Sequence, residues 1–172
     1  MKHEGGAAKA ISNAAGPNFD EECKKYIKKY GKLEVGDIMI TSAGGSLKCK
    51  DVIHTVGPNV KKNNINRIDN EKKLLRDCAK NIMRAVKDND YNSVSIPAIS
   101  TGIFGFPREL CSVVLASAIK DMIDYEPDEY KNKKIIMCNY DSKTTDTFLA
   151  YFFKEFQGEV PSETEESDSE TE

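Results

Sequence analysis

What the chain lacks narrows its function first. No apolar run approaches the roughly 18 residues needed to span a bilayer, so no membrane role is expected. The opening Met1-Lys-His-Glu-Gly-Gly6 has no apolar stretch of the kind a secretory signal carries, so none is expected. The five cysteines, at 23, 49, 78, 111 and 138, are odd in number, widely separated and never form Cys-x-x-Cys. Neither a zinc site nor a disulfide framework is expected from them, and reduced thiols point to the cytoplasm or nucleus. Histidine is scarce, with only His3 and His54, and His3-Glu4 does not complete His-Glu-x-x-His. Metalloprotease chemistry therefore drops out and no metal is expected. The chain has neither Gly-x-x-x-x-Gly-Lys-Ser/Thr nor Gly-x-Gly-x-x-Gly, which removes P-loop and Rossmann readings. No cofactor is expected.

What is present is a polar chain with a sufficient core: 172 residues, 39% hydrophobic and 31% charged, the size of one domain with a tail. The net charge of −3 is unevenly placed. Residues 162–172 hold six acids and no base, leaving 25 bases against 22 acids in the remainder. That acidic, low-complexity end buries too little apolar surface to offset the entropy of ordering, so residues 158–172 are expected to form a disordered tail. The mildly basic body suits a small anionic ligand and falls well short of a nucleic-acid-binding signature.

Helical and strand patterns alternate along the body. Helices are expected at Ala7–Ala15, stopped by Gly16-Pro17, and at Phe19–Tyr30, closed by Gly31. Asp37–Thr41 and Asp51–Val56 read as strands around an Ala43-Gly-Gly-Ser46 turn. After a polar loop, Leu74, Cys78, Ile82 and Val86 mark a long amphipathic helix. Ser93–Ile99 reads as a buried strand, and Pro107 as the first residue of a helix whose inner stripe is Leu110, Val114, Ala118 and Met122. A strand at Lys134–Cys138 and a helix at Thr144–Phe156 follow. This order predicts an α/β sandwich with a largely parallel sheet. Cys78 and Cys111 fall in the apolar patterns, where cysteine acts as a small core residue.

The segment richest in chemistry is Ser95-Ile-Pro-Ala-Ile-Ser-Thr-Gly-Ile-Phe-Gly-Phe-Pro107. A strand runs into a Ser-Thr-Gly turn and then a helix, an arrangement that presents unpaired backbone N–H groups to an anion. Gly102 and Gly105 lack a Cβ, so a phosphate could come close to the main chain. The competing reading is an ordinary strand-to-helix loop. Gly5-Gly6 before the first helix offers a weaker version of the same geometry. His54, amid core residues at the end of a strand, reads as a hydrogen-bonded structural histidine.

Five stretches together carry a resemblance: Gly5-Gly-Ala-Ala-Lys-Ala-Ile11, Asn13-Ala-Ala-Gly-Pro17, Val35-Gly-Asp37, Val52-Ile-His-Thr-Val-Gly-Pro58 and Ile96-Pro-Ala-Ile-Ser-Thr-Gly-Ile-Phe-Gly-Phe-Pro107. In order and spacing they resemble the macro domain from about residue 3 to residue 156, most closely the macro domains attached to ADP-ribosyltransferases. The resemblance implies a three-layer α/β/α sandwich with a mixed, largely parallel sheet and a cleft for ADP-ribose. Residues 1–157 would form the domain. Gly5, Gly6 and Ala7 would line one pyrophosphate loop. Ser100, Thr101, Gly102 and Ile103 would form the other, with Phe104 against the distal ribose. Tyr140 is either an aromatic stacked on adenine or a plain loop residue.

Two departures from the family qualify that expectation. The family's opening strands, with an Asp contacting the adenine amine and an Asn-Ala-Ala-Asn run, have no counterpart, so the domain is expected to be incomplete at its N-terminus. Hydrolytic members of one branch carry an Asp shortly after the glycines, where this chain has Ala8; a positioned water needs a group to orient or deprotonate it, and alanine supplies none. No catalytic residue is therefore assigned. The expected function is a module binding ADP-ribose or mono- or poly-ADP-ribosylated protein. The alternatives are an ADP-ribosyl or O-acetyl-ADP-ribose hydrolase and an interaction fragment without ligand.

Overall fold

A computed structural model of the chain describes residues 6–61 and 68–156. Gly5, His3 and the acidic tail lie outside the described residues. Ten elements follow one another: α1 (Gly6–Ala15), α2 (Pro17–Tyr30), β1 (Ile38–Ser42), β2 (Asp51–Thr55), α3 (Ile68–Asp88), β3 (Ser93–Ile96), α4 (Arg108–Tyr125), α5 (Pro127–Tyr130), β4 (Lys134–Met137) and α6 (Ser142–Glu155).

The strands are short and alternate in what they bury, and that alternation sets up the layers. On β2, Val52 packs toward Ala15, Phe19, Cys23 and Met39. Its neighbour Ile53 packs toward Ile82, Met83, Ile96 and Ile119. Successive side chains of a strand point to opposite faces, so α1 and α2 cover one face and α3 and α4 the other. A third cluster, with Leu75, Phe106, Cys111, Leu115 and Phe148 at its centre, locks α3, α4 and α6 together. The α/β/α layering expected from the sequence is present.

The strands form two separate pairs. β1 and β2 are antiparallel, with Ile40 opposite Ile53, while β3 and β4 are parallel, with Ser95 opposite Ile136. No ladder joins the pairs among the described residues. The α1–α2 layer covers only the first pair, and Ser93, Ser95 and Ile136 on the uncovered face of the second are exposed.

Several boundaries differ from the sequence reading for physical reasons. β3 stops at Ile96, because Pro97 has no N–H to continue a ladder. Pro107 is the N-cap of α4, with φ −59 and ψ 130, and the helix begins at Arg108. The buried stripes are broader than expected. Leu75 is fully buried and Leu74 only half so, and Cys111 and Leu115 are fully buried where Leu110 is half-buried. α4 has α3 on one side and α6 on another, which widens its buried arc beyond a single row. His54 is the structural histidine expected: its Nε2 lies 2.9 Å from Thr41 Oγ1 and its ring packs 4.9 Å from Phe19.

Candidate functional site

The ends of three strands define the site. β3 and β4 are parallel, so the segments after Ile96 and after Met137 leave the sheet at the same edge. The segment after β2 arrives there too, because Gly57 lies against Ser100 and Ile99. In open α/β sheets the carboxyl ends of the strands are where ligands bind.

The loop from Ile99 to Pro107 is held from within and from below. The Thr101 amide and hydroxyl both donate to the Ala98 carbonyl, at 3.3 and 2.8 Å. The Gly105 amide donates to Gly102 and the Phe106 amide to Ser100, at 3.0 and 2.9 Å. Underneath, the Cys111 thiol lies 3.3 Å from the Ile99 carbonyl. Burial drives that thiol's pKa upward, so Cys111 is a neutral support and not a nucleophile. The successive amides of Gly102, Ile103 and Phe104 receive no acceptor from the described residues. Consecutive free amides in a turn form an anion-binding concavity.

The two glycines of the loop have different duties. A Cβ built on Gly102 would meet nothing within 4 Å, so its main chain is open to a ligand. Gly105 has φ +69, and a Cβ there would lie 2.8 Å from Cε and Cγ of Lys61. Gly105 thus serves the turn and the close packing of Lys61, and only Gly102 matches the expected open approach. Ser100 holds φ +66, a conformation uncommon for a residue with a side chain.

Three residues of this edge escaped the sequence reading. Lys61 donates its amide to the Phe104 carbonyl at 3.3 Å and lays its stem over Gly105, which brings a cation to the loop. Arg108 Nη1 and Asn139 Oδ1 are buried polar atoms without a hydrogen-bond partner among the described residues, as is Ser100 Oγ. Arg108 opens α4, where the helix dipole disfavours a cation. A base directly after Pro107 was the signal that this position serves something other than the helix.

The remaining predicted residues are placed separately. Gly6 and Ala7 form the exposed first turn of α1, whose leading amides have no intrahelical partner. No hydrogen bond or ring contact among the described residues joins them to the 100–104 loop. Ile103 is exposed and Phe104 half-buried. Tyr140 is fully exposed between β4 and α6, beside Asp141, which caps α6 by accepting from the Thr144 amide at 2.8 Å. Two hollows of about 210 and 300 Å³ lie elsewhere, lined by Arg84, Lys87 and Glu126 and by Asp90, Asn132 and Lys133. The Lys87–Glu126 and Lys133–Asp90 pairs, each at 2.8 Å, already neutralise charge there. Among the described residues no group of three His, Cys, Asp or Glu is placed to hold a metal, and no helix is long and apolar enough to cross a membrane.

Comparisons with known proteins bear on the family and the fold. The family model described as Macro domain matches residues 1–115. An uncharacterised protein of Thermotoga maritima is 40% identical over 152 residues, 88% of this chain and 24% of that protein. An O-acetyl-ADP-ribose deacetylase of Cronobacter turicensis is 37% identical, over 86% of this chain and 77% of the enzyme. Human protein mono-ADP-ribosyltransferase PARP14 is 34% identical over 94% of this chain, which spans only 9% of it. Among solved structures, the Oceanobacillus iheyensis macrodomain with ADP superposes with a TM-score of 0.75 at 26% identity, covering 89% of this chain and 77% of that one. A variant of the same macrodomain, solved with ADPR, gives 0.75 at 25%, covering 89% and 79%.

Proposed function

This chain belongs to the macro-domain family, and from that premise we propose that it is a module binding ADP-ribose and ADP-ribosylated proteins through the Ser100–Phe104 loop. The observation that carries the reading is the run of three amides, Gly102 to Phe104, that have no acceptor among the described residues, with the main chain of Gly102 open. A pyrophosphate supplies acceptors for such donors, and Lys61 adds positive charge at the rim. Ser100 Oγ, Arg108 Nη1 and Asn139 Oδ1 at the same edge offer further polar partners to a ligand. The related macrodomain solved with ADP and ADPR supports the choice of ligand. Gly6 and Ala7 would bring the free amides of α1 to a second phosphate contact, and Tyr140 would stack on the adenine. The five free thiols fit a reducing compartment, cytoplasm or nucleus.

Gly102→Glu tests the loop. Gly102 has no neighbour for a new side chain to strike, so the variant should fold while its carboxylate repels the phosphate. Titration calorimetry should show heat with ADP-ribose for the parent and none for the variant. Equal affinities would exclude the loop.

A second reading is hydrolysis, favoured by the identity to the Cronobacter deacetylase. Ala8, exposed on α1, offers no group to activate water. Incubation with mono-ADP-ribosylated protein and with O-acetyl-ADP-ribose separates the two readings. The binding module retains the modified protein and releases no product.

A further inference from the structure

The second half of α2 carries a concentration of positive charge that the small net charge of the body conceals. Lys24, Lys25, Lys28, Lys29 and Lys32 are all exposed, five bases within nine residues. At about 100° per residue, the four helical lysines span an arc of about 140°, opposite the buried Phe19 and Cys23. None of the five forms an ion pair among the described residues, whereas Lys72, Lys87, Lys120, Lys131 and Lys133 on other elements all do. The nearby Glu22 is already engaged, accepting from the Ser42 amide and hydroxyl at 2.9 and 2.8 Å, and it feels Lys25 only through space. The Lys29 ammonium is held 4.7 Å over the Tyr30 ring, which packs 4.9 Å from Tyr26. Like charges one helical turn apart repel, so Lys24 with Lys28 and Lys25 with Lys29 form two rows that a bare helix gains nothing by having. The surface is built for an anion.

A complement lies in the same chain. Residues 162–172 hold six acids and no base. From Glu166 the acids stand at every second position, Glu166, Asp168, Glu170 and Glu172, with only Ser or Thr between them. In extended chain such alternate side chains share one side and repeat about every 6.6 Å. Lysines four residues apart on a helix repeat about every 6 Å along its axis. The two spacings match. Reach is sufficient as well, although α6 belongs to the opposite helical layer. The ten residues from Phe156 to Glu166 extend at most about 35 Å, and the sixteen to Glu172 about 55 Å. A body of this size is about 40 Å across.

We propose that residues 162–172 dock in extended form along the lysine rows of α2 in the same molecule. Glu166, Asp168, Glu170 and Glu172 face Lys24, Lys25, Lys28 and Lys29, while the intervening hydroxyls stay in water. The contact buries little apolar surface, so it is electrostatic and sensitive to salt. Docked there, the tail discharges a face that would otherwise draw any polyanion.

The test treats the full chain with a carbodiimide, which joins a carboxylate directly to an amine in contact with it, and maps the links by mass spectrometry. Links from residues 163–172 to Lys24, Lys25, Lys28 and Lys29 should exceed those to the exposed Lys48 and Lys143 at least about fivefold, through the raised effective concentration. In 1 M salt, where the Debye length is about 3 Å, they should fall to the level of these two. A mixture of isotope-labelled and unlabelled protein should place the links within one copy. A full-length variant, with Asp168→Asn and the five tail glutamates changed to Gln, supplies the second measurement. Acetylation of Lys28 and Lys29, relative to Lys48, should be about threefold faster in it, as for a contact occupied about two-thirds of the time in the parent. Links spread evenly over the exposed lysines, or equal acetylation in parent and variant, overturn the proposal. Links found only between copies overturn it too.

Discussion

Gly57 shows how much a single hydrogen atom can decide. The segments after β2 and β3 meet at a point where a methyl group would strike both Ser100 and Ile99, the latter at 2.6 Å. Ser100 already holds a left-handed backbone, so the loop has little freedom to retreat. Gly57→Ala should therefore destabilise the protein by about 1–3 kcal/mol, the usual range for overpacking. It should also weaken ADP-ribose binding by displacing the 100–104 amides. Urea denaturation and calorimetry on the same sample check both, and an unchanged midpoint would show that the loops are not in contact. Tyr91 gives a prediction in pH. Burial and the Asp51 carboxylate raise its pKa from 10.0 to about 12. A folded value above the unfolded one gives stability that is complete below pH 10.0 and lost as pH rises through about 12. The midpoint difference between parent and Tyr91→Phe should be constant at neutral pH and shrink above about 10. A difference independent of pH up to 12 would mean that the hydroxyl does not bind Asp51.

Among the elements, α6 depends most clearly on one side chain. Asp141 accepts from the Thr144 amide and also from its hydroxyl, at 2.9 Å, which satisfies an orphan donor of the first turn. These bonds hold the Asp141 carboxyl below its ordinary pKa, with the Thr144 amide the largest cause. The stability it confers is present above the unfolded carboxylate value and is lost as pH falls through the folded one. Asp141→Ala should lower the melting temperature at neutral pH, and the gap to the parent should narrow as pH falls below the ordinary carboxylate range. A gap that does not narrow with acid would mean the loss comes from packing. Because Tyr140 precedes the cap directly, Asp141→Ala should also loosen the proposed adenine contact. A second position where one helix governs its surroundings is α4, whose Cys111 and Leu115 face α3 and α6 together. Its role is to hold the Ile99–Pro107 loop against a fixed floor.

For the whole molecule, the two helical layers are unequal. α3, α4 and α6 form a continuous apolar mass, while α1 and α2 cover only the β1–β2 pair. The β3–β4 pair is thus supported from one side. Hydrogen exchange should protect α3 and α4 most, and leave β3 exchanging faster than the helices beneath it. Uniform protection across β2, β3 and α4 would contradict a sheet in two pieces.

Much of this architecture follows from sequence alone, because its determinants are local. Proline at 17 and 107, glycine at 16 and 31 and the apolar spacing of α3 and α6 place the helices within a few residues. The Ser100–Phe104 loop is legible because a strand, a glycine turn and a helix-starting proline stand in unbroken succession. His54 reads correctly as structural because its strand neighbours are apolar. Other features depend on residues far apart in the chain. The wide burial of α4 reflects two helical neighbours that no periodicity of its own encodes. Lys61, Arg108 and Asn139 reach the same edge only because β2, β3 and β4 end there together. The separate functions of Gly102 and Gly105 depend on where the Lys61 side chain lies. Sequence determined the elements and the chemistry of the loop, since those rest on backbone preference and adjacent residues. Tertiary structure alone decided which distant side chains share the site, and that the facing edges of β2 and β3 stand apart, because both depend on how separately specified elements pack.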